Sequence, residues 1–124
     1  MSGKNILVVE DDRFLRRACE TSLRQRGYTV RTAADGEEGL RLAREETPDV
    51  VLLDLLMPKM TGLQVLRALR EDAATRGIKV LVLSNSSREQ DVAEIEQLGV
   101  SGYWVKANLS LQALADLVAR VLEG

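Results

Sequence analysis

"VVLLDLLMPKMTG", residues 50–62, sets four apolar residues in a row before Asp54 and three more after it. A run of that length fits a strand buried on both faces, as in a parallel sheet covered by helices. A carboxylate at the end of such a strand is expensive unless a cation or a metal compensates it, because an unpaired charge taken out of water is strongly disfavoured. No cap or turn accounts for Asp54, so its position asks for a chemical reason.

Similar short runs recur outward from it: "ILVV" at 6–9, "YTVRTA" at 28–33, "VLVL" at 80–83 and "YWV" at 103–105. Between and after them lie amphipathic segments of helical length, at 13–26, 36–46, 61–72, 88–97 and 110–122. The last carries Leu111, Leu114, Leu117, Val118, Val121 and Leu122 on one stripe, with Asp116, Arg120 and Glu123 off it. Gly27, Gly77 and Gly99 close helices, and Pro48 precedes the third strand. Strand–helix alternation repeated five times predicts an α/β fold, a single doubly wound five-stranded parallel sheet with five helices and right-handed crossovers. Residues 1–124 are expected to form one domain.

The composition excludes several classes of function. A chain of 124 residues with a net charge of −2 lacks the basic field of a nucleic-acid binder, so no direct nucleic-acid contact is expected. "ILVV" is too short for the core of a signal peptide, and no segment approaches the length that spans a bilayer, which predicts a cytoplasmic protein without membrane insertion. The chain has no histidine, which removes histidine-based triads, HExxH zinc sites and a phosphodonor histidine. Cys19 is the sole cysteine and reads as a packed thiol on the first helix.

Ligands of open parallel sheets bind at the carboxyl ends of the strands. Glu10, Asp11 and Asp12 follow the first strand, Asp54 ends the third, Ser84 to Ser87 follow the fourth and Lys106 follows the fifth. "AADGEEG" after the second reads as turn and helix-cap chemistry. Glu10, Asp11 and Asp54 on one rim would repel one another and raise one another's pKa. A hard cation such as Mg²⁺, which takes carboxylate, carbonyl and water oxygens, resolves this. Lys106 adds a point charge suited to a phosphoryl group, and Ser84 a hydroxyl donor. The set matches what transfer of a phosphoryl group to a carboxylate nucleophile requires. Each piece alone also has an ordinary structural reading. "EDD" can be a helix start capped by Asp12, "SNSS" a loop and cap, and Lys106 a surface lysine. Arg13, Arg16, Arg17, Arg24 and Arg26 read as the solvated face of the first helix. Alternation puts Trp104 in the core and Tyr103 on the opposite side.

Taken in order, "ILVVEDD" (6–12), "LLDLLMPKMTG" (52–62), "VLVLSNSS" (80–87) and "GYWVKA" (102–107) resemble the receiver domain of bacterial two-component response regulators, of the stand-alone, chemotaxis-regulator-like kind. The resemblance covers the whole chain. It implies a flavodoxin-like sheet in the order 2-1-3-4-5. It also implies that Asp54 accepts a phosphoryl group from a phosphohistidine on a sensor histidine kinase or a histidine phosphotransfer protein. Asp11 and Asp54 would bind Mg²⁺ directly, together with the backbone carbonyl of Leu56, and Glu10 would act through water; Mn²⁺ is the expected substitute. Ser84 matches the switch hydroxyl, Tyr103 the switch aromatic and Lys106 the family's lysine, while Pro58 and Gly62 match the turn after the acceptor strand. Such a chain is no enzyme in the ordinary sense but is expected to catalyse its own phosphotransfer and autodephosphorylation. Ser86 and Leu56 are expected to influence the lifetime of the phosphorylated state. Phosphorylation would pull Ser84 inward, let Tyr103 rotate and remodel the face made by the fourth helix, fifth strand and fifth helix. The downstream target or output domain is expected to lie outside this chain, which ends directly after the fifth helix.

Two residues depart from the family pattern. Ala107 stands where a proline preceded by a cis bond is usual, and Asn85 where a small apolar residue is usual. They keep open the alternative of a pseudo-receiver, an interaction scaffold without phosphorylation. A dehalogenase-like phosphatase would need D-x-D after the first strand, which "EDDRF" lacks. A flavodoxin-like flavin or nucleotide module would need a phosphate loop where these acids stand.

Overall fold

The apolar run at 50–53 becomes the central strand β3 (Val50–Asp54), buried at every position. In the computed structural model, which describes residues 3–57, 59–84, 92–106 and 110–123, β1 (Asn5–Val9) and β4 (Lys79–Ser84) flank it, with β2 (Thr29–Ala33) and β5 (Gly102–Val105) at the edges. Every pairing is parallel and the order is β2-β1-β3-β4-β5, as the resemblance implies. The helices are α1 (Arg13–Gln25), α2 (Gly36–Glu45), α3 (Gly62–Glu71), α4 (Val92–Leu98) and α5 (Leu111–Glu123). The fourth was expected to start at residue 88; residues 88–91 lie outside the described residues.

Side chains of a strand alternate between its two faces, and the sheet divides its core accordingly. Leu7, Val9, Val51, Leu53, Val80 and Val82 pack with Leu40, Leu66, Leu69 and Ile95 from α2, α3 and α4. Ile6, Val8, Val50, Leu52, Leu81 and Leu83 pack with Cys19, Leu23, Leu114 and Val118 from α1 and α5. Both faces of the central strands are therefore apolar, which is why these strands read as unbroken hydrophobic runs. Trp104 belongs to the second cluster and Tyr103 packs against the first, the opposite placement expected from alternation. Burial pushes the Cys19 thiol up to about 12, helped by the nearby Glu10 charge, so this packed thiol is inert.

Local chemistry sets the helix ends around the upper rim. Asp12 caps α1, its side chain accepting from the amides of Phe14 and Leu15. Thr61 and Gln64 form a reciprocal capping box at the start of α3. Gly62 opens that helix directly over the end of β3: a Cβ there would lie 2.3 Å from the Asp54 carbonyl oxygen and 2.7 Å from Leu55 Cα. Gly62→Ala is therefore expected to destabilise the fold by about 2 kcal/mol through forced backbone movement. Urea denaturation measures it, and an unchanged midpoint would mean that the loop yields freely.

Candidate functional site

Alternation places the chemistry before any contact is considered. Glu10 continues the parity of Ile6 and Val8, Asp54 that of Val50 and Leu52, and Lys106 that of Trp104, so all three belong to the α1/α5 side at the carboxyl end of the sheet. The side chains meet there. Lys106 Nζ lies 2.8 Å from Glu10 Oε1 and 2.9 Å from Asp54 Oδ1. Glu10 and Asp54 are buried, at 0% and 1% exposure, and Lys106 supplies the cation that such burial requires. Glu10 Oε2 accepts from the amide of Asp12, and Asp54 Oδ1 also accepts from the amide of Leu56. Asp54 Oδ2 is buried and accepts from no donor of the described residues.

Asp11, exposed on the rim, completes a group of three acids whose oxygens lie within 4.8 Å of one another. Burial raises the Asp54 carboxyl to about 7, and the adjoining carboxyl of Asp11 adds to the effect, more than Lys106 takes away. Burial also acts to raise Asp11, but its hydrogen bonds with Asp54 and Glu10 and the Lys106 charge outweigh it and hold that carboxyl below its ordinary value. Burial alone would lower Lys106; the hydrogen bonds it donates to Glu10 and Asp54 reverse this and raise it. Carboxyls facing one another this closely are reconciled by a shared proton or by a cation. Three carboxylates grouped this closely, with no nitrogen or sulfur donor in the group, suit a hard cation such as Mg²⁺.

Ser84 is buried at the end of β4, and its carbonyl accepts from the Lys106 amide at 2.7 Å, tying the lysine's backbone to the strand beside β3. By parity Ser84 belongs with Val80 and Val82, on the same side as Tyr103, which pairs with Val82. The Tyr103 hydroxyl is buried without a hydrogen-bond partner among the described residues. Burial raises it, as does the charge of Glu96 on α4. Pro58, Asn85, Ser86, Ser87 and Ala107, singled out in the sequence, lie outside the described residues.

Two features were misread in the sequence. The basic residues of α1 and its cap are not all a solvated face. Arg16 Nη1, half-buried, donates to the carbonyls of Glu10 and Asp11, at 3.0 and 3.3 Å; Arg13, Arg17, Arg24 and Arg26 are exposed as expected, although Arg24 also donates to Val30 and Arg26 pairs with Asp116 on α5. The signal for Arg16 was an α1 start with no acid in its first turn, which leaves cations facing the unfavourable end of the helix dipole. "AADGEEG" likewise does more than cap α2. Asp35 caps the helix and also pairs with Lys59 at 3.6 Å, and Gly36 lets the Met60 carbonyl approach to where a Cβ would lie 2.2 Å away. The loop after Asp54 is thus clamped against α2, with Lys59 in the left-handed region at φ 69°.

No helix among the described residues is long and apolar enough to cross a membrane. The sequence profile of the response regulator receiver domain matches residues 6–119. PrrA, a transcriptional regulatory protein of Mycobacterium tuberculosis, is 40% identical over 121 residues, 98% of this chain and 49% of its own length. AfsQ1, a transcriptional regulatory protein of Streptomyces coelicolor, is 37% identical over 102 residues, 82% of this chain and 44% of its own length. The chain thus spans about half the length of these relatives. Among solved structures, the chemotaxis protein CheY4 of Vibrio cholerae superposes with a TM-score of 0.88 at 30% identity, covering 96% of this chain and 98% of that one. The receiver domain of a sensor histidine kinase from Pseudomonas aeruginosa, solved with a magnesium ion coordinated in its active-site cleft, has a TM-score of 0.88 at 27% identity, covering 98% and 99%. With the doubly wound sheet and the acid cluster facing a lysine at its carboxyl end, these matches lead to one conclusion: the chain belongs to the response regulator receiver domain family.

Proposed function

We propose that Asp54 of this receiver domain accepts a phosphoryl group from a phosphohistidine of a sensor histidine kinase or histidine phosphotransfer protein. The observation that carries the reading is the division of labour within one carboxylate. Oδ1 is held by Lys106 and the Leu56 amide, while Oδ2 is buried beside two further acids and accepts from no donor among the described residues. Asp11, Asp54 and the Leu56 carbonyl would hold Mg²⁺ directly and Glu10 through water, with Mn²⁺ as the substitute of like chemistry. The bound ion would supply charge neutralisation for the acids and the incoming phosphoryl oxygens.

Asp54 Oδ2 attacks phosphorus, the O–P bond forms as the N–P bond breaks, and the released imidazole nitrogen keeps the bonding pair and takes a proton from solvent. Lys106 and Ser84 serve the phosphoryl oxygens, by charge and by hydroxyl donation. Autodephosphorylation reverses the modification, with water oxygen bonding to phosphorus as the O–P bond to Asp54 breaks. Phe14 and Leu56, large apolar residues exposed beside the acids, offer contact to the donor protein. Inward movement of Ser84 would free space for Tyr103, whose hydroxyl has no hydrogen-bond partner among the described residues to give up, and so shift the face of α4, β5 and α5 toward a form that a downstream protein or output domain reads. Such signalling takes place in the cytoplasm. The pseudo-receiver reading is not supported over this one.

Incubation with Mg²⁺ and acetyl phosphate, followed by intact mass measurement, tests the proposal. One added phosphoryl group is expected in the native chain, and none in Asp54→Ala or with EDTA present. An adduct persisting in Asp54→Ala would name the wrong acceptor. No adduct in the native chain, from acetyl phosphate or a phosphohistidine donor, would return the pseudo-receiver reading.

A further inference from the structure

The loop that carries Glu10 and Asp11 is held unequally. Glu10 is fixed on the sheet side by its amide, which donates to the Ala33 carbonyl at 3.0 Å, and by its side chain, which engages Lys106 and the Asp12 amide. Asp11 is exposed, with its carboxyl oxygen within 4.8 Å of those of Glu10 and Asp54. Arg16 spans the two residues, one guanidinium nitrogen donating to both carbonyls from a position on α1 where its charge opposes the helix dipole.

We infer that Arg16 is a positioning residue for the metal site, fixing the carbonyls of Glu10 and Asp11 so that the Asp11 carboxylate stays against Asp54. The inference rests on the Mg²⁺ reading above and concerns a residue that touches neither metal nor phosphoryl group. It has a sign that separates it from plain electrostatics. A guanidinium near a divalent cation repels it, so if charge were all that Arg16 contributed, its removal would tighten Mg²⁺ binding. If it acts as a clamp, its removal weakens binding, because supporting partners of metal ligands govern affinity through ligand orientation.

Mg²⁺ titration followed by amide nitrogen–proton NMR decides between these for the native chain, Arg16→Met and Arg16→Lys. The same spectra report whether each variant is folded. Arg16→Met is expected to bind Mg²⁺ about tenfold more weakly. Its acetyl phosphate reaction should return to the native rate once Mg²⁺ is saturating. Arg16→Lys, which keeps the charge and a donor but not the planar guanidinium that aims Nη1 at both carbonyls, is expected to fall between the two. Equal or tighter binding by Arg16→Met overturns the inference, and if that variant does not fold, equal affinity of Arg16→Lys and the native chain does so. Failure of the native chain to bind Mg²⁺ would instead overturn the proposed function, and this inference with it.

Discussion

Asp54→Asn is expected to make the metal-free chain more stable at pH 8, by roughly 3 to 4 kcal/mol, with the gain vanishing as the pH falls toward 4. The folded protein raises this carboxyl from 3.8 to about 7, chiefly by burial. A group whose folded pKa is raised contributes stability that is fully present below its unfolded value and lost as pH rises through the folded one. The window is therefore pH 4 to 7, and above it the native chain carries an ionised, buried Asp54 that the unfolded chain would hydrate. Two neighbours act outside this window. The lowered Asp11 contributes stability that is lost only as pH falls below its ordinary 3.8, and the raised Lys106 stability that is lost only above its ordinary 10.5. Asparagine keeps an oxygen for Lys106 and the Leu56 amide, and gains an amide that can donate to Asp11. Urea unfolding of both proteins in EDTA, from pH 5 to 8, measures the difference. A gap that does not change with pH would sink the argument. Saturating Mg²⁺ at pH 8 should narrow the gap, since a ligand that binds only the native fold stabilises it by mass action.

The same burial explains why so much was legible in the sequence. Val50 to Leu53 must be apolar on both faces because helices cover both sides of β3, and that demand leaves a run no surface strand would carry. Asp54 could be singled out because it breaks the run at its end. The strict two-residue period then sends Glu10, Asp54 and Lys106 to one side and Ser84 and Tyr103 to the other. The Asp12 cap was equally plain, since capping depends on neighbours two and three residues away. What escaped depends on contacts between distant segments or on where a long side chain turns. Nothing near Gly36 announces the Met60 carbonyl against it, and nothing near Asp35 announces Lys59. Arg16 could point to water or back over its helix start with the same sequence around it, since arginine's flexible stem permits both.

Arg70, near the end of α3, went unnoticed for the same reason and is expected to carry a large effect. Its guanidinium donates to Leu98 at 2.8 Å and Gly99 at 2.6 Å, at the end of α4 and just past it, and to Arg76 at 3.0 Å and Ile78 at 2.8 Å, before β4. Burial lowers its pKa from the ordinary guanidinium value, the direction expected of a cation surrounded by carbonyls rather than by carboxylates. Otherwise the described part of α4 is held to the rest of the domain by few groups, chiefly Ile95 in the core and the Arg67–Glu94 pair on its surface. Arg70→Met keeps most of the apolar stem but leaves four carbonyls to find water, which is expected to lower stability by about 3 kcal/mol. Arg70→Lys should recover little, because one ammonium cannot serve carbonyls arranged around a planar fork. Hydrogen exchange localises the effect: the Gly99 and Ser101 amides, which donate to Glu96 and Val80, should lose protection before β1 and β3 do. Arg70 touches none of the acids, so phosphoryl uptake at Asp54 should keep its native rate while the α4 end of the domain loosens. Uniform loss of protection across the sheet would show that Arg70 supports the whole fold, and an unchanged midpoint that water replaces it without cost.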